Sequence, residues 1–153
     1  MIVRQATVDD AAAMARLLND IIALGGTTAH EVPKSVEAVR SAYVDEAVAA
    51  VVAEDNGVVI GWQSVGLWQG EGHVGTFVQP GIQAKGIGVA MFALTLDIVQ
   101  TKGVTALIAS IRADNMPGLA YYAKLGFVDT SVEPDFALSN GQIVGRVHRR
   151  FDV

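Results

Sequence analysis

The apolar positions of this chain change period several times. Ile2 and Val3 open a short strand over 1–7. From Thr7 to Gly26 the apolar residues Met14, Leu17, Leu18, Ile21 and Ile22 recur at the spacing of one helix face. Asp10, three residues after Thr7, makes a capping-box start, and Gly25-Gly26 ends the helix. Residues 32–46 repeat the helical spacing more weakly, with Ser35 as the cap. The period then drops to two. Residues 49–55 and 58–68 flank Asn56-Gly57 and predict a hairpin. A further strand over 72–78 is closed by Pro80. Residues 86–102 predict a helix that is apolar around its circumference as far as Leu96, and therefore buried. A continuous apolar strand over 104–111, a short helix over 115–126 stopped by Gly126, and two strands from Phe127 and Gln142 complete the chain. The order β-α-α-β-β-β-α-β-α-β-β predicts one α/β domain over 1–153, a mixed sheet covered by helices in three layers.

Composition narrows the picture. Hydrophobic residues make up 51% of the chain and charged residues 18%, enough apolar material for one core and too little charge for a disordered segment. The net charge is −5 and no lysine or arginine block occurs, which argues against nucleic acid or an anionic membrane surface as a partner. The longest uncharged apolar run, Gly86 to Leu96, is shorter than the roughly 20 residues a bilayer span needs. The opening MIVRQATVDD carries acids where a signal peptide needs an apolar core, so a cytoplasmic protein is expected. The absence of cysteine excludes disulfides, thiolate zinc sites and thiol nucleophiles. His30, His73 and His148 lack metal-ligand spacing, and no metal is expected.

The stretch QAKGIG, residues 83–88, stands between a strand end and the buried helix. The first N–H groups of a helix have no intrahelical partner, and the helix dipole adds positive potential in front of them. Glycines let that backbone approach a ligand closely, so Gln83, Ala84, Lys85, Gly86, Ile87 and Gly88 form a candidate phosphate cradle. The alternative is that the glycines only shape a tight loop. A P-loop pattern is absent, and Met91 stands where the dinucleotide fingerprint needs a small residue.

Two segments carry a resemblance. VQPGIQAKGIG contains P-x-x-Q-x-x-G-x-G ahead of a helix, and ADNMPGLAYYAKLGF contains N-x(6)-Y-x-K-x-G-F. Together with the element order, they resemble the GNAT superfamily of acetyl-CoA-dependent N-acetyltransferases. That resemblance implies a mostly antiparallel central sheet flanked by helices, with acetyl-CoA as cosubstrate. It implies that residues 83–88 hold the pyrophosphate, and that the strand end at Phe77 and Val78 pairs with the pantetheine arm while an N–H there polarises the thioester carbonyl. It also implies that Asn115 bonds the pantetheine side and that Tyr122 protonates the departing thiolate. Lys124, Gly126 and Phe127 fit the same pattern in a structural role. Ala84 departs from it, since that loop position is often glycine in the family.

LLNDII, TTA and VPKSVE resemble the phosphinothricin and methionine-sulfoximine acetyltransferase branch, whose acceptors are small amino acids. A glutamate commonly precedes the loop proline by seven positions in that branch; here the position holds His73. An imidazole suits a base near neutral pH. Glu71 and an ordered water stay open as bases, and Glu31 as an ammonium contact. Trp62 and Trp68 read as core or rim, with pocket walls as the alternative. Arg146, Arg149 and Arg150 read as a solvated face or dimer contacts. With no cysteine and no activated serine legible, direct attack on the thioester in a ternary complex is the simplest chemistry. A small-molecule amine is the expected acceptor. Acetylation of a protein amine, and a non-catalytic CoA-binding module, stay open beside it. The family resemblance implies a homodimer.

Overall fold

A computed structural model of the protein describes residues 1–82 and 86–153. Strand β1 (Ile2–Gln5) is followed by a short 3-10 turn, helix α1 (Ala11–Leu24) and helix α2 (Val36–Arg40), which runs into a wider π turn. Strands β2 (Ala49–Asp55), β3 (Val58–Trp68) and β4 (Glu71–Val78) form a meander. Helix α3 (Ile87–Thr101), strand β5 (Ala106–Arg112), helix α4 (Met116–Leu125) and strands β6 (Val128–Glu133) and β7 (Arg146–Asp152) complete the chain. The capping box forms between Thr7 and Asp10, and the Ser35 hydroxyl accepts the Ala38 N–H at 3.1 Å. Asp10 also receives a two-pronged contact from Arg4 at 2.9 Å, so one carboxylate pins the first strand to the first helix.

The sheet runs β1-β2-β3-β4-β5-β7-β6. Every neighbouring pair is antiparallel except β4 and β5, whose parallel ladder holds only two residue pairs, Gly72↔Leu107 and His73↔Ile108. Beyond them the two strands diverge, leaving an opening in the middle of the sheet. The ladder between β3 and β4 stays regular from Trp68↔Glu71 to Gly61↔Val78, so Gly75 makes no bulge there.

Strand alternation divides the core between the two faces. Helix α3 supplies Ile87, Met91, Phe92, Ile98 and Val99 to one face, against Val51, Val65 and Val74 of the meander and Leu107, Ala109 and Ile111 of β5. Helix α1 supplies Met14, Leu17, Leu18, Ile21 and Ile22 to the other, against Val52, Val59 and Trp62. Trp62 is fully buried and its indole N–H donates to the Met14 carbonyl at 3.1 Å, so it belongs to the core. No helix among the described residues is long and apolar enough to cross a membrane.

Candidate active site

The opening between β4 and β5 organises the site. The Gln79 N–H donates to the Ile60 carbonyl across the β3–β4 ladder at 2.9 Å. Alternation then turns the main-chain groups of Gly75 and Phe77 toward β3 and those of Thr76 and Val78 toward the open edge. Of Phe77 and Val78, the register turns only the Val78 N–H toward the open edge. The Phe77 ring instead packs on Trp62, centroids 4.4 Å apart, on the face covered by α1.

On the α3 and α4 face, Tyr122 is buried and its hydroxyl lies 2.8 Å from the Thr76 hydroxyl. Thr76 also accepts from the Gln63 side-chain N–H2 at 2.8 Å. Gln63 donates as well to the Tyr121 hydroxyl at 3.1 Å, and Tyr121 donates to the Gly88 carbonyl at 2.8 Å. Burial raises the Tyr122 phenol far above its ordinary range and pushes Tyr121 up to about 12. Both keep their protons at neutral pH, as a proton donor must.

Gly86 caps α3 at φ 72°, the left-handed region that glycine enters without strain. Gly88 has a different reason: a Cβ there would stand 2.6 Å from Tyr121 Cε1. The N–H groups at the start of α3, at Gly86, Ile87 and Gly88, have no partner within the helix. Gln83, Ala84 and Lys85 lie outside the described residues.

Asn115 caps α4: its Oδ1 accepts the Gly118 N–H at 3.0 Å and its Nδ2 donates to the Thr27 carbonyl at 2.9 Å. Arg112 grips Asp114 and donates to the Thr28 carbonyl at 3.0 Å. These bonds hold the α1–α2 loop beside the end of β5. Glu31, read from sequence as an ammonium contact, instead accepts from Ser139 and from the Asn140 N–H, joining this loop to the β6–β7 connection.

On the opposite face of the sheet lies a cavity of about 540 Å³, whose lining includes Trp68, Glu71, His73, Ser110, His148 and Arg150. His73 sits at the last paired position of β4. Its ring meets Trp68 edge-on at 5.6 Å, and its Nε2 is buried with no hydrogen-bond partner among the described residues. Burial lowers its pKa, with His148 and Arg146 pushing the same way and Glu71 opposing. His73 is therefore neutral near pH 7, with a lone pair for a proton. Glu71, the fallback base, is held by Arg150 at 2.9 Å. Of the three arginines read as a solvated face, Arg146 and Arg150 line this cavity, while Arg149 turns to the other face and Asp129. Trp68 is a rim residue, 62% exposed.

The sequence reading found no activated serine. The fold makes one arrangement of that kind: Ser110 Oγ lies 2.8 Å from His148 Nδ1, and His148 Nε2 faces Glu133. The three residues stand on adjacent strands β5, β7 and β6, far apart in the chain, with no local motif to mark them. Gln63 and Thr76 were missed for the same reason, since only the β3–β4 register sets them side by side. No group of three metal-ligating side chains occurs among the described residues.

A strand opening thus lies beside a glycine-led helix, with a buried phenol on one face and a neutral imidazole on the other. The acetyltransferase (GNAT) family model matches residues 18–127, and the chain belongs to that family. It is 32% identical over 98 residues to the L-amino acid N-acyltransferase MnaT of Escherichia coli K12, and 30% identical over 98 residues to an L-methionine sulfoximine/L-methionine sulfone acetyltransferase of Salmonella typhimurium. Each match covers 60% of this chain and 57% of the relative, so the chain spans a little over half the length of these curated relatives. The fold is that of a GNAT phosphinothricin acetyltransferase from Sinorhizobium meliloti, solved with acetyl-CoA, at a TM-score of 0.85 and 20% identity over 99% of this chain and 88% of that one.

Proposed function

We propose that the protein transfers an acetyl group from acetyl-CoA to the primary amine of a small, amino-acid-like molecule, by direct attack in a ternary complex. The observation that carries this reading is the opening of β4 from β5. The pantetheine arm, an extended chain of amides, suits the open edge at Thr76 and Val78 as an added strand. The free N–H groups at the start of α3 suit the pyrophosphate. With the arm so bound, an N–H of that edge, from Thr76 or Val78, polarises the thioester carbonyl. Tyr122, oriented by Thr76, protonates the departing sulfur from one face. His73 takes a proton from the acceptor ammonium on the other face, where the cavity of about 540 Å³ has room for an amino acid. The names of the relatives, one acting on L-amino acids and one on methionine sulfoximine and sulfone, support that class of acceptor.

The reading also takes the protein to be a cytoplasmic homodimer that works without a metal. Initial rates of thiol release against a panel of L-amino acids and their sulfone and sulfoximine analogues test the function. Release with at least one acceptor, and intersecting double-reciprocal plots in both substrates, are expected. Parallel plots with an acetylated protein in the intact mass would replace direct transfer by a covalent route.

A further inference from the structure

We propose that Ser110, backed by His148 and Glu133, is a second proton acceptor for the acetyl transfer proposed above, distinct from His73 and acting on the same amine. The inference rests on that reading and deepens it. An ammonium acceptor carries three N–H protons and its amide product carries one, so two protons must leave the nitrogen. The first leaves before attack, because only a neutral amine is nucleophilic. The second leaves as the C–N bond forms and the C–S bond breaks, while Tyr122 supplies the proton that makes the free thiol. One base accounts for one departure, and a second group within reach of the nitrogen can take the other.

The geometry supplies it. Ser110 lies on β5 two residues past Ile108, the last residue paired to β4, and on the same face as Ile108 and His73. Its side chain therefore stands at the rim of the opening, exposed to the cavity. Ser110 Oγ is 2.8 Å from His148 Nδ1. Glu133 faces His148 Nε2 and is also gripped by the Arg146 guanidinium at 2.9 Å, which holds its carboxyl below the usual range. An ionised carboxylate only accepts, so the Nε2 carries the ring hydrogen and Nδ1 is left as the acceptor. In that tautomer the Ser110 hydroxyl donates to Nδ1 and keeps its lone pairs toward the cavity. Ser110 Oγ takes the amine proton as its own hydroxyl proton passes to His148 Nδ1, and the resulting imidazolium lies against Glu133. No bond to oxygen other than O–H is made or broken. The charged and titratable groups facing this relay are Glu71 and His73 from β4, Arg146 and Arg150 from β7, and Glu133 from β6.

The test is steady-state acetyl transfer from acetyl-CoA to the best L-amino acid of the panel, followed by thiol release, for Ser110→Ala, Ser110→Thr, His148→Gln and the double variant Ser110→Ala/His148→Gln. Ser110 is exposed, so its variants fold. Ser110→Ala and His148→Gln should each lower kcat about 10-fold with the KM for acetyl-CoA within about 2-fold, as loss of a proton acceptor requires. The double variant should be no slower than the slower single variant, since both remove one relay. Ser110→Thr keeps the hydroxyl and should recover most of the rate. A Ser110→Ala kcat within 2-fold of wild type, or a double variant slowed by the product of the single effects, overturns the relay alone. Wild-type protein that releases no thiol with any acceptor overturns the acetyl-transfer reading and the relay with it.

Discussion

Gly88→Ala sets two physical effects against each other at one atom. Within a helix, alanine is better than glycine by up to about 1 kcal/mol, and on propensity alone the substitution should stabilise α3. Packing says the opposite. The new Cβ would stand 2.6 Å from Tyr121 Cε1, 3.0 Å from Cζ and 3.2 Å from the hydroxyl oxygen. Carbon atoms rest at roughly 3.5–4.0 Å, so the ring must withdraw by about 1 Å. Tyr121 has nowhere free to go: its hydroxyl donates to the Gly88 carbonyl at 2.8 Å and accepts from Gln63 at 3.1 Å. Overpacking of this kind costs about 1–3 kcal/mol, and each weakened hydrogen bond adds about 0.5–1.5 kcal/mol. After the helix gain, the net loss is about 1–5 kcal/mol, a drop of roughly 2–20 °C in Tm for a chain of this size. Urea unfolding followed by the fluorescence of buried Trp62, with thermal melts alongside, measures it. In a Tyr121→Ala background the same substitution should cost less than about 1 kcal/mol, because the obstructing ring is gone. A Gly88→Ala protein melting within about 2 °C of wild type would refute the packing argument and return Gly88 to the ligand cradle alone.

Tyr122→Phe should lower kcat by roughly 10²-fold with little change in acetyl-CoA affinity, read by steady-state kinetics and calorimetric titration, because a proton donor acts in the transition state. Thr76 keeps Gln63 as a partner in that variant, so the fold should survive. His73→Gln should remove the acidic limb of kcat/KM and lower it on the order of 10²-fold, while His73→Glu retains more activity. A base works when deprotonated, and burial lowers the His73 pKa, so the wild-type limb should fall below its ordinary value of about 6.5 as pH decreases. Asp10→Asn should lower stability at neutral pH by about 1–3 kcal/mol. The Arg4 hydrogen bonds depress the Asp10 pKa, so its contribution is present above the unfolded carboxylate pKa of about 3.9 and lost as pH falls through the lower folded value; urea midpoints across that range should converge for wild type and variant.

The order of the eleven helices and strands among the described residues was legible because most have their own period and punctuation, although the strand expected from Gln142 begins only at Arg146. Thr7 with Asp10, Ser35, Asn56-Gly57 and Gly126 mark their boundaries in the sequence as they do in space. The helix at 32–46 was overextended: only Val36–Arg40 is α-helical, and a wider turn takes Ser41–Asp45. Local motifs mark the glycine-led start of α3 at Gly86 and Gly88 and the place of Tyr122 on α4. The polar partners were not. Thr76 meets Gln63 only through strand register, and Ser110 meets His148 and Glu133 only because β7 lies between β5 and β6. Asn115 has a capping role that its place before Met116-Pro117 already signals. The Phe77 main chain faces β3, a parity that the sequence leaves open and one hydrogen bond at Gln79 decides.

The two-pair seam between β4 and β5 also has a consequence for how the chain is made. It divides the sheet into a four-strand mat built from residues 2–78 and a three-strand mat built from residues 106–152. Strands β2, β3 and β4 pair with their immediate sequence neighbours through short loops, and one face of the mat is covered by α3, the next element in the chain. Besides the seam itself, α3 ties the second mat to the first: its Phe92 ring meets Phe127 at 5.7 Å and Phe151 at 5.3 Å. On a ribosome the first mat and α3 emerge before any of β5, so the N-terminal half should become protease-resistant while the C-terminal half is still being synthesised, as limited proteolysis of arrested chains would reveal. Phe92 then serves as the docking point on which the later half assembles, and a Phe92→Ala chain should complete its N-terminal mat on time and stall at the last step.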